Sequence, residues 1–126
     1  MFKAQTEWNK PEEFPDLRNC NQIAIDLETH DPDLKSMGSG AVVGRGKVVG
    51  IAVATEGYTG YFPFDHKGGG NLEKAKVIQW FTDVCKSNAD KIFHNAMYDV
   101  CWIRSMGIKI NGRIYDTMIA ASLVNE

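Results

Sequence analysis

An α/β domain with a single core is what the sequence predicts, and three observations predict it. β-Branched runs alternate with period two, two apolar stripes recur at helical spacing, and glycine-rich breaks separate them. At 126 residues and 44% hydrophobic content, the chain is long enough for one core at the smaller end of the domain range. It holds no apolar run of about 18 residues, and MFKAQTEWNK lacks the apolar stretch of a secretory signal. A soluble, cytoplasmic protein with no membrane partner is therefore expected. Cys20, Cys85 and Cys101 are odd in number and without CxxC spacing, so they read as buried or idle thiols rather than a disulfide framework or a zinc site. A net charge of −2 and a pI near 5.9 exclude a broad basic surface. Any nucleic acid must be held locally, by metal or by a short groove.

Residues 1–21 carry proline and mixed charge without periodicity and read as an extended lead-in, so the domain occupies 22–126. The first strand lies within IAIDLETHDP, residues 23–32, and ends before the THDP segment, with Ile23, Ile25 and Leu27 alternating with Ala24, Asp26 and Glu28. THDPDLKSMGSGAVVGRG has no core pattern and reads as a long loop. KVVGIAVATEGYTGYFPFDH splits at Glu56-Gly57 into two β-rich runs, an antiparallel hairpin. After KGGGN, Asn71 is placed to cap a helix whose stripe is Leu72, Ala75, Val77, Ile78, Phe81, Val84 and Cys85. KIFH is a short strand, NAMYDVCWIRSM a helix from about Asn95 that stops at Gly107, GRIYD a short strand, and TMIAASLVNE the opening of a further helix.

Chemistry concentrates in two places. Strand periodicity puts Asp26 and Glu28 on one face, where adjacent ionised carboxylates are costly unless solvated or compensated by a cation. Either the strand ends at Leu27 and both acids are solvated, or a divalent metal compensates them. In HNAMYDV, Asn95 and Asp99 stand four apart, on one helix face just after an apolar strand. They read either as an N-cap with a dipole-stabilising acid or as a second delivery of acid to the same sheet edge.

In this order the two motifs resemble the proofreading domains of family A DNA polymerases, phage versions in particular. IAIDLETHD is similar to their first exonuclease motif, and HNAMYDVCWIRSMGIKINGRIYDTMIAASL to the second motif and the segment after it. YFPFDHKGGGN looks like the hairpin-to-helix passage, so the resemblance runs from about residue 8 to the end. It implies a ribonuclease H-like mixed sheet with flanking helices, C-terminally incomplete, of the DEDD exonuclease superfamily. The implied activity is 3′→5′ removal of nucleotides from a single-stranded DNA 3′ end with two divalent metals, Mg²⁺ or Mn²⁺. By position, Asp26, Glu28 and Asp99 match the acidic ligands, and Thr29, Asn95 and Tyr98 match residues lining the terminal-nucleotide pocket. Asp116 also matches, with a structural role rather than a ligand's. Hard carboxylate oxygens suit those metals, which orient a water and stabilise the leaving oxygen. A ribonuclease H enzyme would take its second acid from the helix after the hairpin, where Glu73 and Asp83 read as solvated surface acids.

The family's fourth acid comes from a third motif, and the chain ends at Glu126 before it. With one metal site impaired, the isolated chain is expected to cleave weakly or not at all, and better in Mn²⁺. Three expectations stay open: a split-polymerase subunit completed by a second polypeptide or by self-association, an inactive remnant that binds one metal, or a protein- or nucleic-acid-binding module. If phage-encoded, it would work in the cytoplasm of a bacterial host. His30 reads as a solvated loop residue, and His66 and His94 as turn and strand-end residues. Tyr58, Tyr61, Phe62 and Phe64 are either a base-stacking platform or ordinary sheet packing. Within loop 30–46 and just beyond it, Arg45 and Lys47 either meet a DNA phosphate or belong to a flexible insertion.

Overall fold

The computed structural model describes Pro11 and residues 13–118. The sheet is built from β1 (Gln22–His30), β2 (Lys47–Thr55), β3 (Tyr58–Pro63), β4 (Asp90–Phe93) and β5 (Ile114–Asp116), in the order β3-β2-β1-β4-β5. β1–β2 and β2–β3 pair antiparallel, whereas β4 pairs parallel with both β1 and β5. The sheet is therefore mixed, with β1 at its centre. The hairpin between β2 and β3 turns at Glu56-Gly57, where Gly57 takes the positive φ of 88° that such a turn requires.

Two long helices, α3 (Lys74–Lys86) and α4 (Ala96–Ser105), follow the hairpin and β4. Val77, Trp80, Phe81, Val84 and Cys85 of α3 and Trp102 and Ile103 of α4 join Ile23, Ile25, Leu27, Ile51, Val53 and Phe62 in one buried cluster. Strand alternation then leaves Ala24, Asp26 and Glu28 on the opposite face. The lead-in adds to the core: Leu17 is buried, Phe14 stacks on Phe62 and Trp80, and the Trp80 indole N–H donates to the Pro15 carbonyl at 2.8 Å. Lys91 is also fully buried in β4, its ammonium donating to carbonyls of Ser87 and Asn111.

Two expectations are corrected. The segment after β1 is not a plain loop: β1 continues to His30, and two single-turn helices follow, α1 (Leu34–Met37) and α2 (Gly40–Val43). Asp31 organises them by accepting the Gly40 N–H on both carboxylate oxygens, at 3.2 and 3.1 Å. Asn71 does not cap α3, whose N-cap position is Glu73. Its carboxamide instead accepts from the His66 N–H and donates to the His66 carbonyl, at 2.8 and 2.9 Å, and so clips the turn after β3. Thr117 and Met118 have helical backbone, and the remainder of the C-terminal helix expected from the sequence lies outside the described residues, as do 1–10 and Glu12.

Phe62 is fully buried between Phe14 and Trp80, with centroids 5.6 and 4.3 Å away. Phe62→Ala is expected to lower unfolding free energy by about 3–5 kcal/mol in a urea titration. A loss below about 1 kcal/mol would show that this aromatic cluster is not the core.

Candidate metal centre

β1 and β4 run parallel, so their carboxyl ends point the same way. The ladder between them ends at Ala24–Ile92, and beyond it the chain of β4 turns away into α4. β1 thus projects past its neighbour, and α4 meets its exposed end. The result is that Asp99, in the first turn of α4, is buried to 4% exposure beside Asp26. Burial and the Asp26 charge push its carboxyl up to about 7, with the hydrogen-bonding Leu27 amide pulling partway back. Among the described residues, no ion pair with Lys or Arg engages Asp26, Glu28 or Asp99. Two like charges stand together with a single backbone amide as relief.

Glu28 is two residues beyond Asp26 on the same face, about 7 Å along the strand. Among the described residues, no three carboxylates, imidazoles or thiols converge tightly enough to cage one ion as they stand. The acids are neighbours along a strand end rather than a closed cage. Their chemistry, hard oxygen with no thiolate, fits Mg²⁺ or Mn²⁺. Asp26, Ala52 and Tyr61 form one cross-strand row, and Glu28 pairs with Gly50 in the next. Between Glu28 and Thr29 the register shifts because β2 carries one extra residue, Val49. The small side chains of Ala24, Ala52 and Ala54 leave a groove of about 220 Å³ beside Asp26.

Thr29 and Tyr98 come together, their hydroxyls 2.8 Å apart, and the Tyr98 hydroxyl donates to Asp31 at 3.1 Å. Tyr98 has one proton, so Thr29 must donate to the Tyr98 oxygen. The ring is further held edge-on against Trp102, with centroids 6.3 Å apart. Asn95 does not share a helix face with Asp99: it precedes α4 in the left-handed region, φ 65°, and its side chain makes no capping hydrogen bond. Asp116 caps in its place, accepting from the Asn95 and Ala96 amides at 3.0 and 2.9 Å. His94 meets Thr117 at 2.9 Å. Arg45 lies 3.8 Å from Asp33, and Lys47 3.1 Å from Asp65, so both of these cations already have carboxylate partners. Asp31 was not singled out by sequence reasoning. Its spacing to Thr29, on a strand that outlasts the motif, is the signal that could have found it.

A family model described as 3′-5′ exonuclease matches residues 5–126. The chain belongs to that family, the exonuclease domain of family A DNA polymerases. It is 35% identical to a DNA-directed DNA polymerase of Pseudomonas phage M6 over 98% of its length, and 30% identical to DNA polymerase I of Borreliella burgdorferi over 86%. It spans only 20% and 11% of those proteins. Among solved structures, Brucella melitensis NrnC with bound Mg²⁺ superposes with TM-score 0.58 at 18% identity, covering 88% of this chain and 49% of that one. The POL domain of Pol1 from M. smegmatis, in complex with DNA primer-template and dNTP, gives 0.56 at 13%, covering 85% and 16%. These two likenesses establish the fold. Exonucleases of this family use divalent metals and act on DNA.

The raised Asp99 pKa has a signed consequence for the metal-free chain. Its stabilising protonated form is fully present below about pH 4 and is lost as pH rises through about 7. In EDTA, Asp99→Asn is therefore expected to be more stable than wild type at pH 8, by on the order of 1–3 kcal/mol, with the gap closing toward pH 4. Chemical denaturation across that range checks it, and a gap independent of pH contradicts it.

Proposed function

We propose that this exonuclease domain removes nucleotides from the 3′ end of single-stranded DNA, with Asp26, Glu28 and Asp99 holding Mg²⁺ or Mn²⁺. The observation that carries the reading is Asp99 buried beside Asp26 with, among the described residues, no Lys or Arg ion-paired to either. Such a pair is unstable when both members are ionised, and a divalent cation turns the liability into a binding site. When bound, the metal supplies Lewis acidity and lowers the pKa of water.

The chain's own residues do the rest. Asp26 and Glu28 present their oxygens from a central strand whose backbone is fixed on the β2 side, so the backbone need not reorganise on binding. Asp116 fixes the turn from which α4 delivers Asp99. Thr29 and Asp31 lock the Tyr98 ring beside the acids, and the Asn95 carboxamide, unused in capping, is at hand for the terminal nucleotide. Met97, 78% exposed on the same turn, and Val42, 76% exposed on α2, offer apolar surface for bases.

A 5′-labelled single strand incubated with the chain is expected to shorten stepwise from its 3′ end, faster in Mn²⁺ than in Mg²⁺. Asp26→Ala should cut the rate at least about 100-fold, the scale of losing a group that stabilises developing charge. Shortening that survives Asp26→Ala, or that proceeds in EDTA, contradicts the reading.

A further inference from the structure

Tyr61 stands on the acid face of the sheet, outside the set of acids and pocket residues. Phe62 points into the core, so alternation turns Tyr61 to the other side, in one row with Ala52 and Asp26. Its ring leans along the strand over Gly50. A Cβ on Gly50 would sit 2.1 Å from the Tyr61 hydroxyl, so that hydroxyl occupies the place where a side chain would start. Gly50 is the direct cross-strand partner of Glu28. Opposed Cβ positions stand about 4.5–5.5 Å apart, which a glutamate side chain reaches across. Glycine at position 50 is what lets the phenol lie there.

The hydroxyl is oriented from behind. It shares a hydrogen bond with Nε2 of His66, and Asn71 clips the His66 backbone at both N–H and C=O. The turn is anchored a second time by the β2 bulge, because the Val49 carbonyl accepts from the Phe64 and Asp65 amides at 2.9 and 3.1 Å. Burial and the charges of Glu28 and Asp26 push the phenol up to about 12, so it remains a donor.

We propose that Tyr61, oriented by His66, is a positioning residue for Glu28: His66 donates to the phenol oxygen, and the phenol donates to the Glu28 carboxylate. The inference rests on the metal-binding role assigned to that carboxylate above. Glu28 is exposed, and a free glutamate carries rotamer entropy that binding must remove. A charge-assisted hydrogen bond from a fixed phenol removes part of it in advance. Supporting groups of this kind change metal affinity by roughly 10–100-fold.

The test is Mn²⁺ affinity of the full chain without DNA, read by electron paramagnetic resonance of the free ion. Tyr61→Phe, which keeps the ring, is expected to weaken binding about 10-fold. Gly50→Ala, which displaces the hydroxyl and leaves both partners in place, should act in the same direction. His66→Ala should match Tyr61→Phe, and His66→Gln, which restores an N–H donor, should recover part of the loss. In a Glu28→Gln background, Tyr61→Phe should cost nothing further, a coupling that general loosening of the fold would not produce. Thermal unfolding in EDTA identifies any variant that has lost its fold. Tyr61→Phe binding Mn²⁺ within twofold of wild type, or a full additive loss on Glu28→Gln, overturns the inference while leaving the acids as ligands. Wild-type affinity in Glu28→Gln itself overturns both.

Discussion

Asp99 beside Asp26 is the contact on which the rest of the site turns. Apolar packing imposes it: Trp102 and Ile103 drive one side of α4 into the core, and Asp99, three and four residues earlier, is carried into the interior with them. The Leu27 amide relieves the carboxylate only in part. A core that forces two acids together is stable only where one is protonated or a cation joins them. On the proposed function, metal binding at this contact is linked to folding, with the hydrophobic cluster holding the two acids together.

Around that contact lies a layer of Asp and Asn hydrogen bonds that fixes directions. Asp116 ties the start of α4 to the end of β5, so the parallel pair β4–β5 sets where Asp99 enters. Asp31 joins α2 to the Tyr98 hydroxyl, and Asn71 joins the post-hairpin turn to His66 and on to Tyr61. All three anchors are Asp or Asn in turns or at strand ends, where short polar side chains compete well for backbone groups. The acids can point outward because something else holds the backbone beneath them.

Much of this was legible in the sequence. Period two put Asp26 and Glu28 on one face, and the Glu56-Gly57 break located the hairpin, because both signals are local. What was not legible depended on pairing across the fold. The spacing of Asn95 and Asp99 leaves a first-turn helix acid and a second acid at the sheet edge both open, and Asp99 meets Asp26 only because β1 outruns β4. Asn71 and Asn95 both sit where a capping side chain is expected, yet Asn71 is drawn to the His66 turn and Asn95 yields to Asp116, distant in sequence. The single-turn helices α1 and α2 are too short to nucleate alone, and α2 is pinned at its start by Asp31 reaching forward to Gly40. Tyr61 reads as sheet packing until its register with Asp26 and Gly50 is known.

At the Asp26–Asp99 contact a cation is expected to replace a proton. The direct measurement is calorimetric titration of the chain with Mn²⁺ near pH 6.5 in two buffers of different ionisation enthalpy. Binding that releases a substantial fraction of one proton, with the release shrinking by pH 8.5 and absent in Asp99→Asn, is the expected result. Binding with no proton release at either pH, or no binding at all, contradicts the account.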